Sequence, residues 1–141
     1  MKFIYRFLLL ALVFQFSALA QQNNGQDIKV LIENLESNKG KVYISIYNDE
    51  ASFLNKSLKS DKIQIQNMGC EYVFKNMPAG TYAISFYHDE NNNNKMDTNF
   101  FGMPKEDYGC SNNARGTMGP PKWKDAKFEL KNETITQRIT L

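Results

Sequence analysis

Residues 80–90 read GTYAISFYHDE and form the clearest strand signal in the sequence. Bulky side chains recur at every second position, at Tyr82, Ile84 and Phe86, and the small residues Ala83 and Ser85 lie between them. This alternation is typical of a β-strand that turns one face toward a protein core. The stretch therefore predicts a half-buried strand, and it indicates the fold class to expect on either side of it.

The same alternation recurs before and after this strand. Two earlier runs have apolar residues on one face: Ile28, Val30, Ile32, Val42, Ile44 and Ile46. Weaker runs cover residues 61–66, 71–76, 126–130 and 134–141. About seven strands without a long helix predict an all-β fold, an antiparallel two-sheet sandwich, with a small barrel as the alternative. The polar link over residues 36–40 is expected to form a hairpin, and the stretch from residue 91 to about 124 to form one long ordered loop.

The first twenty residues have the features of a secretory signal peptide. Lys2 and Arg6 precede an apolar run from Phe7 to Phe16, and Ala18-Leu19-Ala20 fits the small-x-small cleavage rule. The run is shorter than the roughly 20 residues that cross a bilayer. We therefore expect a signal peptide (residues 1–20), a flexible leader (21–26) and a single domain (27–141). The protein would be exported to the periplasm or the cell exterior, and an uncleaved anchor is the alternative.

Cleavage would also change the net charge. The chain has 17 Lys+Arg and 15 Asp+Glu, so removal of Lys2 and Arg6 leaves 15 of each and a net charge of zero. Nucleic-acid-binding domains carry a basic patch, so nucleic acid is not an expected partner. No later segment is apolar enough to span a membrane. The expected partner is a protein, a peptide or a glycan, which the sequence does not identify.

An oxygen-rich segment, HDENNNNKMDTN, follows the strand directly at residues 88–99. Acidic and amide side chains alternate in it as in the calcium-loop pattern D-x-[DN]-x-[DN]-G, and Asn94 stands where glycine usually makes the turn. Ca²⁺ takes about six to eight oxygen ligands, including backbone carbonyls. We name residues 89–97 the acidic loop and expect Ca²⁺ as its cofactor. The predicted ligands are Asp89, Asn91, Asn93, Lys95 through its carbonyl, and Asp97.

The acidic loop departs from an EF-hand at its end. Phe100 stands where a bidentate Glu closes that motif, and no helix is predicted on either side. The site therefore needs a ligand from elsewhere, for which Glu90, Glu106 and Asp107 are the nearest candidates. With few carboxylates we expect a Kd of about 10⁻⁴ to 10⁻³ M, as in extracellular modules. A plain asparagine-rich turn is the alternative interpretation.

His88 is the single histidine and adjoins the first predicted ligand. A hydrolase-type enzyme that uses His88, Asp89 and Glu106 is therefore an alternative function. The simpler interpretation is a strand-end residue that packs and bonds to the loop. A third possibility is a carrier for a small apolar ligand between the sheets. No nucleophile motif or phosphate-binding glycine loop occurs, so we expect a protein that is not an enzyme.

Two further sets of side chains allow alternatives. Cys70 and Cys110 form a candidate disulfide in an oxidising compartment, or else two separate buried thiols. Tyr43, Tyr47 and Tyr87 fall on strand faces opposite the apolar stripes. They would form a sugar- or peptide-binding surface if exposed together, or would be partly buried under loops that fold over one sheet.

Residues 74–130 resemble an exported bacterial family known as a domain of unknown function, number 2141 in its series. The shared features are Pro-Ala-Gly-x-Tyr-Ala running into His-Asp-x-Asn-x-Asn-x-x-x-Asp, then Gly-x-Pro-x-Glu-x-Tyr-Gly-x-Ser-Asn-Asn and Gly-Pro-Pro. The resemblance implies that the acidic loop is a family feature, with the segment from Gly102 to Asn112 folded beside it. Its glycine–tyrosine strand is also similar to transthyretin-like and carboxypeptidase-regulatory sandwiches, so we expect a transthyretin-like or immunoglobulin-like fold. It implies no reaction, and the expected function is a binding or accessory module.

Overall fold

The structure is a computed structural model that describes residues 25–141. The predicted signal peptide, residues 1–20, lies outside the described residues. The first strand begins at Gln26, so the predicted leader (21–26) extends one residue into the folded domain. Within residues 25–141, no helix has the length and apolar character needed to cross a membrane.

Strands dominate the described residues, as the alternation predicted. They are β1 (Gln26–Glu33), β2 (Lys41–Tyr47), β3 (Lys59–Gln64), β4 (Cys70–Met77), β5 (Gly80–Asp89), β6 (Tyr108–Cys110), β7 (Phe128–Leu130) and β8 (Ile135–Thr140). A 3-10 turn covers Ser111–Asn113 and a four-residue helix, α1, covers Trp123–Ala126. The all-β class is therefore confirmed, with eight strands where about seven were expected.

The strands form two sheets. One has three strands in the order β4-β1-β8, and the other has five, with β3-β2-β5-β6 in a row and β7 paired with the start of β5. β1 is antiparallel to β4 but parallel to β8. The prediction of a wholly antiparallel sandwich is therefore wrong at this one pair. Local alternation specifies which face of a strand is buried, and it does not specify the direction of a distant partner strand.

The link between β1 and β2 passes from one sheet to the other. β1 lies in the three-stranded sheet and β2 in the five-stranded sheet, so the predicted hairpin over residues 36–40 is wrong. Gly40 ends this link with a positive φ of 69°. A Cβ atom there would lie 1.8 Å from the carbonyl oxygen of Asp89. Glycine is therefore needed because the link passes directly against the end of β5.

A single apolar core joins the two sheets. The inward-facing positions predicted in β1, β2 and β5 are all buried in it: Ile28, Val30, Ile32, Val42, Ile44, Ile46, Tyr82, Ile84 and Phe86. Burial of each such aliphatic or aromatic side chain contributes about 1.5–3 kcal/mol to stability. The core therefore confirms the sandwich arrangement and leaves the end of β5 at its rim.

Loops cover the outer face of the five-stranded sheet. Tyr47 packs against Phe53, which packs against Trp123, with ring centroids 5.3 and 5.7 Å apart. Tyr43 stacks on Tyr87 with centroids 4.8 Å apart. The tyrosines on this face are thus buried or half-buried rather than an open binding surface, in agreement with the covered alternative.

Both cysteines are free thiols. Cys70 begins β4 and packs against the main core, whereas Cys110 ends β6 and packs with Ala83 and Ala126 in a second, smaller cluster. The structure has no Cys70–Cys110 disulfide: the two thiols pack in different clusters, which agrees with the alternative of two separate buried thiols. Burial raises the pKa of the Cys70 thiol to about 11 and that of the Cys110 thiol to about 12.

Candidate functional site

The acidic loop starts from the last residue of β5. Asp89 still pairs with Lys41 of β2 in the sheet, so the loop grows from a rigid strand. His88 and Asp89 are both 0 % exposed. Successive strand residues point to opposite faces, so the His88 ring faces the core side and the Asp89 carboxylate faces the outer side. The two side chains are consequently separated by the sheet.

The carboxylate of Asp89 organises the first half of the acidic loop. Its Oδ1 accepts the backbone N–H of Asn93 at 3.1 Å and its Oδ2 accepts that of Asn94 at 2.8 Å. Asn92 and Asn94 have positive φ values of 59° and 66°. Asparagine adopts this left-handed conformation more readily than most residues. The chain therefore turns sharply at Asn94, the position where the calcium-loop pattern has glycine.

The second half of the loop converges on Asp97. The side-chain amide of Asn91 donates to its Oδ2 at 2.7 Å, and that of Asn93 donates to its Oδ1 at 2.8 Å. The amide oxygens of Asn91 and Asn93 accept the backbone N–H groups of Asn93 and Lys95 at 3.0 and 2.9 Å. The structure thus brings together the four predicted side chains, and it places the Lys95 backbone in the same turn.

One carboxylate from outside the loop joins this cluster. Oε2 of Glu106 accepts the backbone N–H of Asp97 at 3.0 Å. Its Oε1 is shielded from solvent and has no hydrogen-bond partner among the described residues. Glu90, in contrast, accepts a hydrogen bond from Ser37, and Asp107 contributes its carbonyl oxygen to the His88 N–H at 2.8 Å. Of the three acidic candidates, Glu106 is therefore the one whose side chain is hydrogen-bonded to the backbone of the acidic loop.

Among the described residues, no ion pair neutralises the carboxylates of the acidic loop. Within residues 25–141 the ion pairs are Lys131–Glu129 and Arg138–Glu33, neither of which involves the loop. The pKa of Tyr87 is raised to about 12, first by burial and then by the nearby Tyr43, Asp89 and Glu106. The negative charges of Asp89, in the acidic loop, and of Glu106, outside it, thus reach this tyrosine.

Asn94 fastens the acidic loop to the outer face of the sheet. Its side-chain oxygen accepts hydrogen bonds from the Tyr43 hydroxyl and, at 3.1 Å, from the Lys62 ammonium group. Lys62 also lies 4.9 Å from the centroid of the Tyr43 ring. Lys62 was not predicted from the sequence, because its place opposite Tyr43 depends on the register of β2 with β3. The position of Tyr43 on the outer face was the available signal.

His88 lacks the access that catalysis would require. Its Nε2 lies 2.6 Å from the carbonyl oxygen of Lys39, so the proton on that nitrogen is donated to the link before β2. Its Nδ1 is buried without a hydrogen-bond partner among the described residues. A general base must reach its substrate, whereas this ring is shielded and faces away from Asp89. The geometry supports the simpler interpretation, a strand-end residue that holds the chain in place.

A family comparison covers this whole region. The sequence profile of a family described as "Uncharacterized protein conserved in bacteria (DUF2141)" matches residues 30–138, which is more than half of the chain. The match includes the acidic loop and Glu106. No curated protein and no solved structure matches the chain significantly.

Proposed function

The chain belongs to the DUF2141 family of uncharacterized bacterial proteins, and we propose that its acidic loop is a Ca²⁺ site within an exported β-sandwich binding or accessory module. One observation carries this proposal. Asp89 and Asp97 lie in the acidic loop, Glu106 is hydrogen-bonded to it, and none of the three has an ion-pair partner among residues 25–141. A cluster of carboxylates is stabilised when a bound cation neutralises it.

The donor set fits a hard cation. It consists of oxygen atoms throughout, and oxygen ligands are those that Ca²⁺ prefers. The side chains of Asp89, Asn91, Asn93 and Asp97 and the carbonyl of Lys95 would hold the ion. Glu106 adds a shielded carboxylate oxygen with no hydrogen-bond partner among the described residues. When bound, the ion would supply positive charge to the cluster and would perform no chemical step.

The role that follows is structural. Asp89 belongs to β5, whereas Glu106 lies just before β6, so an ion held by both would tie the acidic loop and the segment after it to the sheet. The signal-like residues 1–20 support export to the periplasm or the cell exterior. There the module would bind a protein, peptide or glycan partner. A transthyretin-like arrangement is the sandwich class that we propose for it.

Thermal unfolding of the mature chain in chelator and then in 10 mM Ca²⁺ tests this proposal. A Kd of about 10⁻⁴ to 10⁻³ M gives a stabilisation RT ln(1 + [L]/Kd) of about 1.4 to 2.7 kcal/mol. For a domain of this size that corresponds to a rise in Tm of roughly 5 to 10 °C. Mg²⁺ should stabilise less, because it demands a smaller, octahedral site.

Two charge-removing variants make the test specific. Asp97→Asn should lose most of the Ca²⁺-dependent rise in Tm, because it removes a predicted ligand charge without changing side-chain size. Asp125→Asn, at an exposed carboxylate in α1, should keep the full rise. An unchanged Tm of the wild-type protein in Ca²⁺, or an equal rise in the Asp97→Asn variant, would show that the loop is only a polar turn.

A further inference from the structure

The segment after the acidic loop forms a small hairpin. The N–H of Lys105 donates to the carbonyl oxygen of Asp97 at 2.8 Å, and Thr98 pairs with Pro104 in an antiparallel bridge. We name residues 97–105 the tip hairpin. Its base is therefore joined to the acidic loop through the shared residue Asp97.

The turn of the tip hairpin is held by its own residues. The side-chain oxygen of Asn99 accepts the N–H groups of Phe101 and Met103 at 2.9 and 3.0 Å. The Asn99 backbone adds two bonds, from its N–H to the Met103 carbonyl at 2.8 Å and from the Gly102 N–H to its carbonyl at 2.9 Å. Gly102 has a positive φ of 77°, which glycine adopts without strain. The tip thus has a defined backbone conformation.

The side chains on this turn are apolar and exposed. Phe100 is 97 % exposed, Phe101 is 82 % exposed and Met103 is 57 % exposed. The two phenylalanine rings contact each other edge to face, with centroids 5.5 Å apart. Single exposed apolar residues are common on protein surfaces, whereas a contiguous apolar group on an ordered turn marks an interaction site. These side chains project into solvent, so a partner must be able to bury them.

The charges around the tip hairpin indicate which kind of partner binds it. Residues 98–105 contain no acidic side chain, and Lys105 at the base and Lys95 in the adjoining loop are both exposed. The nearest carboxylates, Asp97, Glu106 and Asp107, are half-buried at the base, whereas the two lysines are exposed, and Asp97 and Glu106 accept hydrogen bonds from within the loop. An apolar tip with lysines behind it is complementary to a lipid bilayer, whose apolar interior lies beneath anionic headgroups.

The reach of the hairpin agrees with this partner. Phe100 lies three residues beyond Asp97, and at about 3.3 Å per residue the tip extends about 10 Å from its base. Interfacial segments bury their apolar side chains about 5–10 Å deep at the boundary between headgroups and acyl chains. The phenylalanines would therefore reach the boundary while the lysines stay at the level of the phosphates.

We propose that the tip hairpin docks the protein on a bilayer that contains anionic lipid. Phe100 and Phe101 enter the interface, and Lys95 and Lys105 contact lipid phosphates. The proposal goes beyond the Ca²⁺ site and does not depend on it, because the bonds that shape the hairpin lie within residues 97–105.

Cosedimentation of the mature protein with vesicles tests the apolar contact. The vesicles contain phosphatidylethanolamine and phosphatidylglycerol, and the buffer contains chelator, so the result is independent of Ca²⁺. The double variant Phe100→Ser, Phe101→Ser should bind at least about tenfold more weakly, because it removes the side chains that enter the interface. Met118→Ser should bind as the wild type does, since Met118 is fully exposed but lies outside the hairpin. Equal binding by the double variant would overturn the proposal.

A second pair of variants tests the charge contact. Lys105→Glu should weaken vesicle binding by about fivefold or more at low salt. Lys56→Glu should leave it unchanged, because Lys56 lies in the turn after β2, at the opposite end of the sheet from Asp89. Phosphatidylcholine vesicles should bind the wild-type protein more weakly. If the wild-type protein binds no vesicles, the proposal is wrong and a pocket on another protein becomes the occupant to seek. Thermal unfolding of each variant verifies that it is folded.

Discussion

The substitution Gly40→Ala tests whether the acidic loop depends on the link that crosses between the sheets. Gly40 has a φ of 69°, and an added Cβ would lie 1.8 Å from the Asp89 carbonyl oxygen and 2.7 Å from the Cα of Glu90. The left-handed conformation costs a non-glycine residue roughly 1–2 kcal/mol. The contact must also open by more than 1 Å, which disturbs the pairing of Lys41 with Asp89. We expect a total loss of about 3–4 kcal/mol.

Gly102→Ala is the matched control. Gly102 has a similar φ of 77°, but an added Cβ there would meet no atom within 4 Å. This variant should therefore lose the conformational contribution alone, about 1–2 kcal/mol. The difference between the two variants isolates the close approach of the link to β5.

Urea unfolding of both variants measures this difference. With an unchanged m-value, the urea midpoint of Gly40→Ala should be lower than that of Gly102→Ala. The difference should correspond to about 2 kcal/mol in the free energy of unfolding. Gly40→Ala should also weaken the Ca²⁺-dependent stabilisation, because it displaces the first predicted ligand. Equal losses of stability in the two variants would refute the packing argument.

Three further predictions concern other parts of the domain. Ser111→Ala should lower the free energy of unfolding, measured in urea, by about 2–4 kcal/mol. The reason is that the buried hydroxyl donates to the Ala126 carbonyl at 2.6 Å and accepts the Ile84 N–H at 2.9 Å. A loss below about 1 kcal/mol would contradict this reason. Protein purified without reductant should take up two alkyl groups once unfolded and react slowly when folded at pH 8, because the pKa values of Cys70 and Cys110 are raised to about 11 and 12; a mass two hydrogens lower by mass spectrometry would show a disulfide instead. Tyr87 has a pKa raised from 10.0 to about 12, so the unfolded chain releases this proton at lower pH than the folded one. Protonated Tyr87 therefore stabilises the folded protein below pH 10, and this stabilisation is lost between pH 10 and 12. Over that range the Tm of the Tyr87→Phe variant should fall less than the Tm of the wild-type protein.

The fold was predictable from the sequence where it depends on local alternation. Ile44 and Ile84 were placed correctly because period-two patterning decides which face of a strand is buried. The parallel pairing of β1 with β8 was not predictable in this way, because the two strands are neighbours in the sheet but are separated by about 100 residues in the sequence. The predicted hairpin over residues 36–40 failed for a related reason, since a short polar link can join two sheets as well as two paired strands.

The candidate site was predictable to a similar degree. The spacing of Asn91, Asn93 and Asp97 indicated convergence, because alternate residues of a tight turn point to the same side. The choice of Glu106 over its acidic neighbours depends on how the chain returns to β6, and no local pattern encodes that return. Ser111 was placed in the segment beside the acidic loop, but its buried role was not predicted, because its two hydrogen bonds link segments distant in sequence.

The parallel pairing of β1 with β8 has a mechanical consequence. The strands are in register from Ile28 with Ile135 to Glu33 with Thr140. A force that draws the start of β1 away from the end of β8 acts along both strands, in opposite directions. The evenly spaced hydrogen bonds between them then share the force in shear and do not open one after another. We expect single-molecule pulling between these two ends to require more force than pulling across the edge strand β3.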